Sequence, residues 1–197
     1  MTVVQRSMDT VAHSRHAWGN CIGTEVWQEF CKQETYGRDL QLFKDYGIKD
    51  TLEFDMKGKS VLDIGGGPVS MTLRCVNASK LVVVDPCPWP DSVLRRYKNY
   101  GIELVQDYGE DYKSTKFDEV WIYNVLRYVR DPQRVLKNAF DHSQILRVFD
   151  FVWVPISGPY LHILDPTELL VWLDIPIIKY FNVTTESTFT GVFQPKS

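Results

Sequence analysis

The sequence predicts an α/β protein: a doubly wound, mostly parallel seven-stranded sheet that ends in an antiparallel hairpin and carries an N-terminal helical cap. Three observations predict it. From residue 60 onward, short apolar runs alternate with helical patterns, as consecutive strand–helix units require. One run, Leu81-Val82-Val83-Val84-Asp85, is nearly continuous in branched apolar side chains, as expected for a strand buried on both faces. The last two runs, Ile177 to Thr184 and Thr188 to Phe193, lie too close together for a helical crossover and must pair antiparallel.

The elements follow in order. Residues 1–20 are polar, lack a period and read as a loose arm. Thr24 caps a helix to about Lys32, with Trp27, Phe30 and Cys31 on one face. A second helix runs from Glu34 to Tyr46, where Gly47 ends it. Strands are expected at Ser60–Ile64, Leu81–Asp85, Ile102–Gln106, Phe117–Tyr123 and Gln144–Phe151. Between them the pattern places helices at Val69–Asn77 and from Asp91, as its cap, to about Tyr100. Asp131-Pro132 opens another helix to about Phe140, with the acid at the cap and proline in the first turn. Asp165 caps a last helix from Pro166 through Leu173. The chain therefore divides into an arm and cap (1–56) and one compact domain (57–197).

Composition narrows the function. A length of 197 residues supports one well-sized core, and a net charge of −3 without a basic stripe argues against nucleic acid as the first choice of partner. Aromatic residues reach 13%, which suits a pocket lined by rings. The four cysteines (Cys21, Cys31, Cys75 and Cys87) form no CxxC pair and no cluster with zinc-ligand spacing, so no metal is expected. Cys75 falls in the apolar helical stretch and reads as core. No signal-like or membrane-length apolar run is present, and reduced thiols in the cytoplasm are the expectation.

The chemistry begins at Val61-Leu62-Asp63-Ile64-Gly65-Gly66-Gly67-Pro68, a strand running into three glycines and then a predicted helix. Glycine permits a sharp turn and close approach of a ligand to the main chain, and a helix N-terminus would aim free N–H groups at the same spot. Asp85 ends the next strand, where a carboxylate can accept ribose hydroxyls. A dinucleotide would need pyrophosphate over the loop. Ser70 occupies the sixth position in place of Gly or Ala, Pro68 lacks an N–H, and Asp63 would repel phosphate while attracting an ammonium group. These features favour a nucleoside with a cationic tail.

Val-Leu-Asp-Ile-Gly-Gly-Gly resembles the first motif of class I S-adenosylmethionine-dependent methyltransferases. The resemblance continues through Val84-Asp85, Gln106 to Asp111, and Phe117-Asp118-Glu119-Val120-Trp121 to Asp131-Pro132, over about residues 57–193. It implies S-adenosylmethionine as cofactor and S-adenosylhomocysteine as product. By the same resemblance Asp63, Gly65 and Gly67 hold the amino-acid end, with Gly66 permitting the turn. Asp85, with Pro86 beside it, takes the ribose. The adenine loop reads Gln106-Asp107-Tyr108-Gly109-Glu110-Asp111, where Tyr108 stands at the family's adenine-binding Asp and Asp107 is one place off. The adenine contact is then either the Asp107 side chain or main-chain groups at Gly109 and Glu110. Asn124, at the end of the fourth strand, either borders the reactive methyl or caps the main chain. Tyr128 sits near the position where many relatives carry His. Asp85-Pro86-Cys87-Pro88-Trp89 resembles a DNA amino-methyltransferase motif, but it follows the second strand, not the fourth. Its prolines shape the loop, and Trp89 flanks the adenine.

Methyl transfer from a sulfonium needs alignment and exclusion of water more than acid–base groups. A small-molecule acceptor is the first expectation, because no recognition domain is appended. The alternatives are a nucleic-acid or protein methyltransferase, or a fold member that binds the cofactor without turnover. His162, in the connection after the fifth strand, is the candidate base, although a capping role near Asp165 serves it equally well. Tyr36 and Arg38 either close over the cofactor or pack on their own helix.

Overall fold

The computed structural model describes residues 54–155, 161–174, 177–183 and 187–195. The helices expected at 24–32 and 34–46, with Tyr36 and Arg38, lie outside the described residues.

Seven strands form the main sheet: β2 (Ser60–Ile64), β4 (Lys80–Val84), β5 (Glu103–Val105), β6 (Phe117–Tyr123), β7 (Ser143–Phe151), β8 (Ile177–Val183) and β9 (Thr188–Gln194). Their order is β5-β4-β2-β6-β7-β9-β8. The first five pair parallel, while β9 runs antiparallel to both β7 and β8. Successive strands spread to opposite sides of β2, so the strand order reverses between β2 and β6. A crevice opens beyond the strand ends at such a point.

Side chains alternate across the sheet. Leu62, Ile64, Val82, Val84, Val120 and Ile122 pack with α2 (Pro132–Asp141) and α3 (Pro166–Trp172). Val61, Val83 and Trp121 join the opposite layer with Val93 and Tyr97 of α1 (Asp91–Asn99). Both faces are thus covered, which explains why β4 reads as an unbroken apolar run. The predicted strands, the hairpin and the helix starts at Pro132 and Pro166 are all present. Asp131 and Asp165 accept from main-chain N–H groups at these starts. Replacing Asp131 by alanine is expected to cost about 1 kcal/mol of stability, read from urea unfolding, because Arg134 N loses its acceptor.

Two local expectations are corrected. The helix over Val69–Asn77 is absent. A single 3-10 turn, Met71–Arg74, leads into β3 (Cys75–Val76), which pairs parallel with β1 (Phe54–Asp55) in a separate two-stranded sheet. The Ser70 hydroxyl accepts from Thr72 N at 3.0 Å, a local bond that competes with helix propagation, and the pairing with β1 draws the following residues into extended backbone. Cys75 is consequently half-buried in a strand rather than in a helix, and burial beside the Asp63 and Glu119 charges pushes its thiol up to about 12. At α1 the cap position belongs to Pro90, and Asp91 is the first helical residue, with no side-chain capping bond.

Candidate functional site

The glycine turn leaves β2 at the reversal point. Gly65 and Gly67 have φ of 76° and 62°, conformations that side chains disfavour. A Cβ at Gly66 would lie 2.6 Å from Asp63 Oδ2 and 2.8 Å from Val83 Cγ1, so the turn tolerates no side chain there either. The main-chain donors of this turn are largely consumed within the protein. Gly65 N donates to Val84 O at 2.7 Å, Gly67 N to Asp85 Oδ2 at 3.1 Å and Ser70 N to the Tyr97 hydroxyl at 2.9 Å.

A cavity of about 160 Å³ lies against this turn. Its near wall is Gly65, Gly67 and Asp85, followed by Pro86, Cys87 and Trp89 from the segment after β4. Tyr108, Gly109 and Glu110 form the side beyond β5, and Asn124, Val125, Tyr128, Val129 and Arg130 close it from the end of β6. Of the residues singled out in the sequence, Asp63, Gly66, Asp107 and His162 are not on the wall. Asp63 is buried behind the turn, where Oδ2 accepts from the Ser70 hydroxyl at 2.5 Å. Asp107 Oδ1 accepts from Tyr108 N at 2.7 Å. His162 Nε2 sits 2.8 Å from Val129 O, one layer behind the wall.

Asp85 is 6% exposed and forms the most connected group in the cavity. Oδ1 accepts from Cys87 N at 2.9 Å and from Trp89 Nε1 at 3.0 Å, while Oδ2 accepts from Gly67 N. The Cys87 side chain donates to the same carboxylate. Burial raises the Asp85 pKa, and these donors oppose the rise.

The side beyond β5 is aromatic and charged. The Arg130 guanidinium lies 3.9 Å from the centre of the Tyr108 ring. Glu110, buried beneath, accepts from Arg130 N at 2.9 Å and Asp131 N at 3.2 Å, which fixes the chain entering α2. Asp111 faces outward and pairs with Arg130 and Arg134 at 2.8 and 2.7 Å. Asn124 adopts φ 51°, a conformation asparagine tolerates better than most residues, and its N–H closes on Phe149 O at 2.7 Å.

Residues 62–143 match the family model described as a methyltransferase domain. The match places the segment from β2 to the start of β7 among methyltransferase domains. No curated protein matches this chain in sequence. Among solved structures, the N-methyltransferase NodS from Bradyrhizobium japonicum, in complex with S-adenosylhomocysteine, is 12% identical. The alignment covers 94% of this chain and 100% of that one, with a TM-score of 0.64. A possible histamine N-methyltransferase from Thermotoga maritima is 14% identical over 70% of this chain and 82% of its own, with a TM-score of 0.54. The N-terminal domain of EvdMO1, solved in the presence of S-adenosylhomocysteine and D-fucose, is 16% identical over 83% and 84%, with a TM-score of 0.57. At these identities the likeness is one of fold.

The walls of the cavity also depend on residues that the sequence reading did not single out. Asp150, at the end of β7, is fully buried. Its Oδ2 accepts from Val125 N and Leu126 N at 3.0 and 2.8 Å, and Oδ1 from Phe151 N at 2.8 Å. It thereby holds the backbone that carries Asn124 and Val125 into the cavity. Arg127, 2% exposed, reaches Val154 O and Pro155 O at 3.5 and 3.4 Å, while its own carbonyl accepts from Leu161 N at 2.7 Å. The one sequence signal for this layer was an acid between two phenylalanines near the end of β7. Among the described residues no group of three His, Cys, Asp or Glu side chains is placed to hold a metal, and no helix is long and apolar enough to cross a membrane.

Proposed function

We propose that this methyltransferase moves the methyl group of S-adenosylmethionine to a small-molecule acceptor by in-line displacement. The observation that carries the reading is the cavity at the strand-order reversal, walled by a glycine turn and a buried carboxylate on the adjoining strand. The turn is not a phosphate cradle. Its N–H groups at residues 65, 67 and 70 are already bonded and Pro68 has none, so a pyrophosphate would find few donors. A nucleoside with a cationic tail makes no such demand, and the Asp63 and Asp85 carboxylates favour it electrostatically.

The bound cofactor supplies a methyl group already activated by its sulfonium. The chain's residues bind, orient and exclude water. Asp85 holds the ribose. Its carboxylate already receives Gly67 N, Cys87 N, Trp89 Nε1 and the Cys87 thiol, and the thiol, a weak donor, is the one a ribose hydroxyl displaces. The apolar slot of Ile64, Val84 and Pro86, edged by Tyr108 and the Gly109–Glu110 main chain, takes the planar base. Gly65 and Gly67 border the amino-acid end, and Asp63 acts on it through the turn. Asn124 and Tyr128, on the β6 side, stand nearest the reacting methyl. His162 holds the Val129 carbonyl behind the wall, so in this arrangement it braces the site and is not presented to an acceptor.

A small acceptor fits a chain of net charge −3, and the NodS and EvdMO1 structures, described with an N-methyltransferase activity and with D-fucose respectively, are folds used on such chemistry. Calorimetry should show saturable binding of S-adenosylhomocysteine and no heat with NAD. With methyl-labelled cofactor, label should enter the low-molecular-weight fraction of a cell extract. Label confined to RNA, DNA or protein would overturn the acceptor class, and NAD binding without S-adenosylhomocysteine binding would overturn the whole reading.

A further inference from the structure

We infer that Tyr97 is a positioning residue for the cofactor, its hydroxyl fixing the glycine turn in place of the absent helix. The inference rests on the proposed function and concerns how the site is held. Tyr97 lies on α1, between the motifs that carry the resemblance and in none of them, and is fully buried. Its O–H donates to Gly67 O at 2.7 Å and its oxygen accepts from Ser70 N at 2.9 Å. The neighbouring Arg96 Nη1 donates to Pro68 O at 2.9 Å. Two adjacent residues of one helix therefore hold the turn at three points, Gly67, Pro68 and Ser70.

Packing does not hold Gly67. A Cβ built there meets no atom within 4 Å, and φ is 62°. The residue stands on the cavity wall with space around it, so its place is set by hydrogen bonds on its two sides. Asp85 takes its N–H and Tyr97 its carbonyl. The chain of bonds is continuous: Trp89 to Asp85, Asp85 to Gly67, Gly67 to Tyr97, Tyr97 to Ser70, and Ser70 to Asp63. The two carboxylates assigned to the cofactor are joined through a single phenolic oxygen. In a loop followed by a helix, the first turn of the helix would share this work among several main-chain groups. Here the 3-10 turn begins only at Met71, and the phenol substitutes for that first turn. Burial keeps the phenol protonated far beyond the neutral range, as a group that both donates and accepts must be.

Tyr97→Phe removes one oxygen and leaves the ring in its core. The experiment is calorimetric titration with S-adenosylhomocysteine, well below the unfolding temperature of each protein. Parent, Tyr97→Phe, Arg96→Met and Phe193→Leu are compared, the last a core change in β9, three strands from β2. The expected result is affinity about five-fold weaker for Tyr97→Phe and about two-fold weaker for Arg96→Met, with Phe193→Leu unchanged although it too lowers the unfolding temperature. Arg96→Met keeps the test open should Tyr97→Phe not fold, because Arg96 is only part-buried. Parental affinity in both Tyr97→Phe and Arg96→Met, or an equal loss in Phe193→Leu, would overturn the inference while leaving the proposed function standing. A parent protein that does not bind at all would overturn the function, and the inference with it.

Discussion

Asp85→Ala is expected to bind S-adenosylhomocysteine at least ten-fold more weakly than the parent, about 1.4 kcal/mol of binding free energy. The expectation has two sources. The direct one is loss of the acceptor for ribose hydroxyls, since Asp85 is the carboxylate at the end of β4 that lines the cavity. The indirect one is release of the wall itself, because Gly67 N, Cys87 N and the Trp89 indole all end on this side chain. Stranding buried donors costs about 1–3 kcal/mol each unless water reaches them, so the variant should also unfold at lower urea. Asp85→Asn separates the two effects. The amide keeps one acceptor oxygen, retains part of the wall and still loses the second ribose acceptor. Calorimetry on both variants, with melting followed in parallel, provides the check. Unchanged affinity in Asp85→Ala would remove the ribose assignment.

Asp150→Ala should show the largest loss of stability, on the order of 3 kcal/mol, because three main-chain N–H groups lose a shared buried acceptor. The pH dependence identifies the group. Burial raises the Asp150 pKa to about 7, against the pull of the three N–H donors and Arg127. The folded protein therefore holds a proton that the unfolded chain has released, and stability falls with rising pH where that difference exists. This contribution is fully present below the unfolded value of 3.8 and is lost as pH climbs through about 7. In Asp150→Asn that slope should disappear. Denaturant melts of parent and Asp150→Asn at several pH values between 4 and 8 test it, and parallel pH profiles would refute it.

The elements legible in the sequence share a physical cause. β4 announces itself because a strand covered on both faces needs apolar residues at nearly every position. α2 and α3 announce themselves because each carries an Asp at the cap and a Pro in the first turn. The glycine turn and Asp85 are legible because positive φ and a carboxylate that gathers N–H groups need special residue types at a strand end. The segment after Pro68 was expected to be helical, although Val69, Met71, Leu73 and Cys75 alternate at the two-residue spacing of a strand. What decides it is a partner strand at Phe54–Asp55, about twenty residues upstream, and that information is not local. Tyr97, Asp150 and Arg127 are invisible for the same reason. A tyrosine on an amphipathic helix and an acid in a strand acquire their meaning only from the main-chain groups that folding sets before them.

Residues 124–130 separate the cavity from the layer packed behind it. Val125, Tyr128 and Val129 line the cavity, while from behind, Asp150 grips the N–H groups of Val125 and Leu126, His162 the carbonyl of Val129, and Leu161 the carbonyl of Arg127. A ligand that pushes Tyr128 or Val129 outward cannot do so without drawing His162 and Leu161 along. The wall of the cavity and the placement of residues 161 and 162 therefore rest on the same stretch of backbone.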